Sequence, residues 1–183
     1  MPTFYNRATL SYNGITRDSN ITTGELLDVL SITKNSTKMN YNIGDELTYV
    51  VNLRNTGTAP LNAVTLTDNL GAYPVGANTV YPLEFNSILF YVDGVLQPTP
   101  AITAGPPLTV SGINIPAGST ATLVYDTALT EFAPLNVNGT INNAVTATGA
   151  GVTTPATASE TVTVDNVPNL VINKALNPLT VTP

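Results

Sequence analysis

Thr48-Tyr49-Val50-Val51-Asn52-Leu53, followed at once by Asn55-Thr56-Gly57, decides the fold class. The run is short, rich in β-branched and aromatic residues, and stopped by turn formers, which is how a strand reads. Working outward, the same pattern returns at Ala63-Val64-Thr65-Leu66-Thr67, Ile88-Leu89-Phe90-Tyr91-Val92, Thr120-Ala121-Thr122-Leu123-Val124-Tyr125 and Ala144-Val145-Thr146-Ala147-Thr148. Several of these runs alternate apolar with polar residues, the signature of a half-buried strand. Turn signals separate them: Asp93-Gly94, Pro116-Ala117-Gly118, Asn138-Gly139 and Gly149-Ala150-Gly151. Asp93-Gly94 sits between Phe90-Tyr91-Val92 and Val95-Leu96, which predicts a two-residue type I′ hairpin. Ala104-Gly105-Pro106-Pro107 reads as an extended connector, because Pro-Pro donates nothing to a ladder. The chain is therefore expected to be all-β, a sandwich or a barrel. Gly24-Glu25-Leu26-Leu27-Asp28-Val29-Leu30 is the best helical candidate, and it reads equally well as a strand leading into Ser31-Ile32-Thr33-Lys34.

Composition narrows the function classes. Hydrophobic residues make up 43% of the 183 residues, enough for a core, while charged residues make up only 10%. An average globular chain carries about 25% charge. The surface is therefore covered by Thr, Asn, Ser and backbone. Twelve acids against six bases give a net charge of −6, which opposes nucleic-acid binding. No basic cluster suggests a membrane surface, and no apolar run approaches a membrane span, so membrane insertion is not expected.

Cys, His and Trp are absent. Disulfides, thiol chemistry and His-dependent triads are thereby excluded, and zinc loses its usual ligands. No acidic loop has EF-hand spacing, and no Gly-rich phosphate loop appears. The expectation is a protein with no metal, no cofactor and no enzymatic turnover. The three Asn-x-Ser/Thr triplets, at Asn20, Asn35 and Asn138, arise from composition in so Thr- and Asn-rich a chain. The first residues have neither the basic region nor the apolar run of a secretory signal, so either a leader has been removed or the chain reaches the outside by another route.

An internal repeat organises the chain. Tyr5-Asn6-Arg7-Ala8-Thr9-Leu10-Ser11-Tyr12 near the start matches Ile141-Asn142-Asn143-Ala144-Val145-Thr146-Ala147-Thr148 near the end. Each is followed by a Thr/Ser-rich stretch, and then by a matching segment: Leu30-Ser31-Ile32-Thr33-Lys34 in the first case, Leu170-Val171-Ile172-Asn173-Lys174 in the second. Residues 28–166 thus read as one complete sandwich, residues 1–27 as the closing strands of a neighbouring module, and residues 167–183 as the opening strand of a following one. Gly44-Asp45 lies ten positions beyond Lys34, so the natural polypeptide is expected to continue past Pro183 into another repeat.

At this point the residues resemble a known family. Ser31-Ile32-Thr33-Lys34, Gly44-Asp45-Glu46-Leu47-Thr48-Tyr49 with Asn55-Thr56-Gly57, Val64-Thr65-Leu66-Thr67-Asp68, Pro116-Ala117-Gly118 and Asn142-Asn143-Ala144 fall in the order of the bacterial surface repeat called domain of unknown function eleven. The likeness spans about residues 30–148. It implies an immunoglobulin-like β-sandwich, here with extra N- and C-terminal strands, of a kind found in tandem on cell surfaces. The stretch from Asn6 to Gly14 also resembles small clostridial members, some linked to spore appendages.

One constellation suggests chemistry. In an immunoglobulin-like sandwich Lys34 on the opening strand and Asn142 on a closing strand can be neighbours. Burial lowers a lysine pKa and yields a neutral amine, which can attack an amide beside a protonated acid and expel ammonia. Asp68 is the candidate acid. The resulting isopeptide bond, used by some immunoglobulin-like surface modules, would replace the missing disulfides. The plain alternative is a solvent-facing Lys34 and an Asn142 that serves a turn or ladder. A second pairing, Asn6 of one subunit with Lys174 of another, would join subunits covalently.

The expected function is a structural subunit of an extracellular fibre on a cell or spore surface, whose partners are copies of itself joined head to tail by strand exchange between chain ends. The alternative is an adhesin or glycan-binding stalk module using Tyr81, Phe85, Phe90 and Tyr91 as a stacking platform.

Overall fold

The computed structural model describes residues 3–25, 27–165 and 174, and contains no helix among them. In chain order the strands are β1 (Thr3–Asn6), β2 (Thr9–Tyr12), β3 (Ile15–Asp18), β4 (Thr22–Glu25), β5 (Leu30–Ser36), β6 (Asn40–Tyr41), β7 (Glu46–Asn55), β8 (Leu61–Asp68) and β9 (Tyr73–Val75). They continue with β10 (Asn78–Val80), β11 (Leu83–Val92), β12 (Val95–Gln97), β13 (Ala101–Thr103), β14 (Leu108–Ile115), β15 (Thr120–Leu129), β16 (Thr140–Thr148) and β17 (Ala156–Val164).

Two sheets form the body. Sheet I has the order β12-β11-β15-β7-β5, and sheet II the order β13-β14-β8-β16-β17-β6. The ladders are antiparallel except for the short parallel pairing of β6 with β17. The expected sandwich is what forms. Its cause is visible in β7, where Leu47, Tyr49, Val51, Leu53 and Asn55 are buried while the intervening residues are not. On β15 the buried row is Ala121, Leu123, Tyr125 and Thr127, and it lies directly across from the β7 row. Sheet II answers with Val64 and Leu66 on β8, Val110 and Ile113 on β14, and Ile141, Val145 and Ala147 on β16. Fully burying one such large side chain contributes about 1.5–3 kcal/mol, and the core holds more than twenty.

The predicted turns are in place. Asp93 and Gly94 have φ of 49° and 79°, the left-handed pair that a type I′ turn requires, and Val92 faces Val95 across it. Asn55 does more than mark a turn. It is wholly buried; its Nδ2 donates to the carbonyls of Ala59 (2.8 Å), Ile115 and Pro116 (both 3.1 Å), and its Oδ1 accepts from the Gly57 N–H. One side chain thereby ties the β7–β8 turn to the end of β14.

The segment with helical pattern is not helix among its described residues: β4 ends at Glu25, β5 begins at Leu30, and residues 27–29 belong to neither strand. Gly24 faces Phe4 across the β1–β4 ladder, and the Phe4 ring packs over it in the space a side chain would fill.

The N-terminal strands form a separate feature. β2 pairs with β3 through the Asn13-Gly14 turn, with φ of 47° and 77°, and β1 pairs with β4 further along the same two strands. Ala8 and Ser19 bridge the two ladders by hydrogen bonds. Among the described residues neither ladder joins either large sheet. The predicted opening strand in residues 167–183 lies outside the described residues, apart from Lys174, which is exposed.

Candidate functional site

Strand alternation brings five side chains together between the sheets. On β5 the inward row runs Leu30, Ile32, Lys34, which puts a lysine where a third apolar residue would be expected. On β8 the row Val64, Leu66 ends in Asp68. On β16 the row is Ile141, Asn143, Val145, Ala147. Tyr49 on β7 and Tyr125 on β15 are direct cross-strand partners with rings stacked at 5.6 Å between centroids. Lys34, Tyr49 and Tyr125 thus come from sheet I, and Asp68 and Asn143 from sheet II.

The hydrogen bonds run in a line. Lys34 Nζ donates to Asp68 Oδ2, and so does the Tyr125 hydroxyl. Asp68 Oδ1 accepts the Leu70 N–H at 2.8 Å. Asn143 Nδ2 donates to the Tyr125 hydroxyl at 3.4 Å. Among the described residues Asn143 Oδ1 and the Tyr49 hydroxyl have no hydrogen-bond partner, although both are buried, and the Tyr49 hydroxyl lies toward Asn143 without reaching bonding geometry. The lysine nitrogen sits over both rings, 4.7 Å from the Tyr49 centroid and 5.4 Å from that of Tyr125.

The electrostatics follow from burial. The side chains of Lys34 and Asp68 are both 0% exposed. Desolvation pushes the Lys34 ammonium down from 10.5 to about 8, against the opposing pull first of Asp68 and then of Glu160. Burial, followed by the Asp68 charge, holds the Tyr125 phenol well above its ordinary value, so it remains a proton donor. Tyr49 is raised for the same two reasons. A buried ion pair is weak evidence for stability, because desolvating two charges costs as much as their attraction returns. The site nevertheless holds a buried amine, a carboxyl group bonded to it and, linked through the Tyr125 hydroxyl, a buried amide, the three kinds of group that amide exchange needs.

The sequence-predicted residues divide accordingly. Lys34 and Asp68 meet. Asn142 does not join them: it is exposed on the outer face of β16, opposite Thr161 on β17, and its neighbour Asn143 is the buried amide. This corrects the predicted Asn142, and the reason is the two-residue period of a strand, which sends consecutive asparagines to opposite faces. The period was readable from Ile141, whose inward place fixes Asn143 inward too. Tyr49 and Tyr125 were not picked out as site residues. The signal that could have found them is their place on inward rows among aliphatic residues, since a buried tyrosine hydroxyl seeks a polar partner. Asn6 lies exposed on β1 opposite Thr22, and Lys174 is exposed. When the repeat is aligned on Ala8 and Ala144, Asn6 takes the place of outward Asn142 and Arg7 that of inward Asn143. Arg7 pairs instead with Asp18 at 3.2 Å. The proposed aromatic platform does not assemble, because Phe90 is in the core and Tyr81 and Phe85 pack against it.

No family model matches the chain, and no curated protein matches it. Solved structures do. The pilus backbone protein RrgB of Streptococcus pneumoniae matches with a TM-score of 0.51 at 17% identity, over 65% of this chain and 31% of that one. The full-length major pilin SpaD of Corynebacterium diphtheriae matches with a TM-score of 0.56 at 14% identity, over 73% of this chain and 34% of that one. The N-terminal domain of the Streptococcus gordonii adhesin Sgo0707 matches with a TM-score of 0.53 at 13% identity, over 82% and 35%. The chain therefore spans about a third of each of these proteins. At such identities the likeness is one of fold, and the fold is all-β and immunoglobulin-like, as in Gram-positive pilin and adhesin domains.

Proposed function

We propose that this chain is a structural subunit of an extracellular surface fibre, joined to further copies of itself through its ends and locked internally by a Lys34–Asn143 isopeptide bond. The observation that carries the assembly reading is the N-terminal hairpin. It exposes Phe4, Tyr5, Leu10, Tyr12 and Ile15, each at least half accessible, and pairs with neither sheet among the described residues. An isolated two-stranded hairpin is marginally stable in water and needs a further strand or a covering surface. The hairpin repeats the sequence of β16, and in the body β16 and β17 are completed by β8, β6 and the facing β5. A neighbouring copy supplying an equivalent opening strand satisfies the same need, and head-to-tail addition of this kind continues without closing. The fold shared with pilin and adhesin domains supports an extracellular place, on a cell or a spore surface.

The isopeptide reading rests on the buried amine, acid and amide, and on the orphaned Asn143 carbonyl. The reaction is a single self-directed event, not turnover. It would connect the first strand of the sandwich to the next-to-last, across the two sheets, where a fibre carries load. Negative-stain microscopy of the purified full chain tests the assembly: filaments are expected, and discrete monomers that persist at high concentration would overturn it. Accurate intact mass tests the bond separately, since its formation removes one ammonia.

A further inference from the structure

The hydrogen-bonded line through the site has a direction that the reaction can use. Asn143 has no hydrogen bond to Asp68; Nδ2 meets the Tyr125 hydroxyl, and that hydroxyl meets Asp68 Oδ2, which holds Lys34 Nζ. Asp68 Oδ1 is already engaged by the Leu70 N–H. The departing nitrogen of Asn143 must gain a proton, and the group in contact with it is a phenol.

We infer that Tyr125 is a catalytic residue of the isopeptide reaction, carrying a proton from Asp68 to the leaving nitrogen of Asn143. This rests on the isopeptide reading above. The ammonium of Lys34 first gives a proton to Asp68. The neutral Nζ then attacks Asn143 Cγ; the new N–C bond forms as the carbonyl electron pair moves onto Oδ1. Tyr125 donates its proton to Nδ2 and takes the Asp68 proton in exchange, and Asp68 is a carboxylate again. The Cγ–Nδ2 bond breaks, the carbonyl reforms, and neutral ammonia leaves. The new amide nitrogen, still carrying one proton too many, gives it to Asp68. Tyr125 is unchanged at the end, Asp68 is protonated, and no other reactant is needed.

Tyr49 is the built-in control. Its ring stacks on that of Tyr125, it lies nearer to Lys34 than Tyr125 does, and it is buried, but its hydroxyl has no hydrogen-bond partner among the described residues. A role in packing or in solvating the lysine belongs to both rings; a role in proton transfer belongs to one hydroxyl.

The test follows the loss of one ammonia by mass during cell-free synthesis of the full chain, in wild type, Tyr125→Phe and Tyr49→Phe, with thermal melts to establish folding. General acid–base groups contribute about 10²–10⁴-fold, so Tyr125→Phe is expected to fold and react at least about a hundredfold more slowly, with Tyr49→Phe near wild type. Wild type that never loses ammonia sinks the isopeptide reading and this inference together. Wild type that reacts, with Tyr125→Phe equally fast, sinks this inference alone. Should Tyr125→Phe fail to fold, the wild-type rate in mixtures of light and heavy water decides: two protons moving together bow the dependence downward, and a straight line overturns the relay.

Discussion

Lys34 and Asp68 face each other from opposite sheets, joined by a hydrogen bond and wholly shielded from water. Neither side chain was placed there by hydrophobicity. Each occupies the end of an inward row that is otherwise aliphatic, and each would cost several kcal/mol to desolvate alone. What they share is Asn143, reached through Tyr125.

The identity of the reacting amide is tested by mass. Wild type is expected to be lighter than its sequence by one ammonia. Lys34→Ala and Asn143→Ala restore the full mass, while Asn142→Ala leaves the loss intact. Full mass in Asn142→Ala, with the loss retained in Asn143→Ala, would return the assignment to the exposed residue.

The proposed bond between Lys34 and Asn143 would restrict the unfolded state. For a covalent loop of this length, the chain-entropy model gives about 4–5 kcal/mol. Asn143→Ala is therefore expected to unfold at a much lower denaturant midpoint than wild type. An unchanged midpoint would mean that the bond does not form or does not constrain the unfolded chain.

The free lysine gives the unlocked form a pH dependence. Lys34 lies against Asp68 on β8, Tyr49 on β7 and Tyr125 on β15, and feels the charge of Glu160 on β17. Its folded value of about 8 lies below the ordinary 10.5, so in that window the unfolded chain binds a proton that the folded chain has released. Stability of Asn143→Ala should then rise from about pH 8 toward about pH 9.5, by about 1 kcal/mol. From there the raised tyrosines reverse the trend, because the unfolded chain loses phenol protons that the folded chain keeps. In a wild type locked by the proposed bond Nζ would be an amide, so urea titrations from neutral to pH 10 should show no such lysine-linked rise.

Asn55 offers a test independent of the site. Asn55→Ala strips the partner from the Gly57 N–H and leaves the carbonyls of Ala59, Ile115 and Pro116 without their donor. A loss of about 2–3 kcal/mol is expected by denaturant unfolding. A change within a few tenths would show that water takes over these bonds.

Removal of residues 1–27 separates assembly from folding. The hairpin shares no ladder with the sandwich among the described residues, so the shortened chain should melt as wild type does. It should also sediment as a monomer where the full chain forms filaments. Normal polymerisation of the shortened chain would place the contact elsewhere.

Several features of the fold are legible in the sequence itself. Tyr49, Val51 and Leu53, spaced by two, fix an inward row, and Asp93-Gly94 fixes a hairpin, because its torsions leave little choice. These depend on local backbone preference and on the period of the pleat, both of which a sequence states directly. Lys34 and Asp68 could be nominated, but their meeting could not be settled, since residues 34 apart touch only if two particular strands face each other across the core.

The tertiary structure alone decided the rest. It chose Asn143 over Asn142, because the register of β16 determines which of two adjacent amides looks inward. It also brought in Tyr125, whose hydroxyl matters only because β15 in one sheet lies over β8 and β16 in the other. Sequence specifies which face of a strand is apolar; which face it meets is fixed only when the two sheets close around a shared interior.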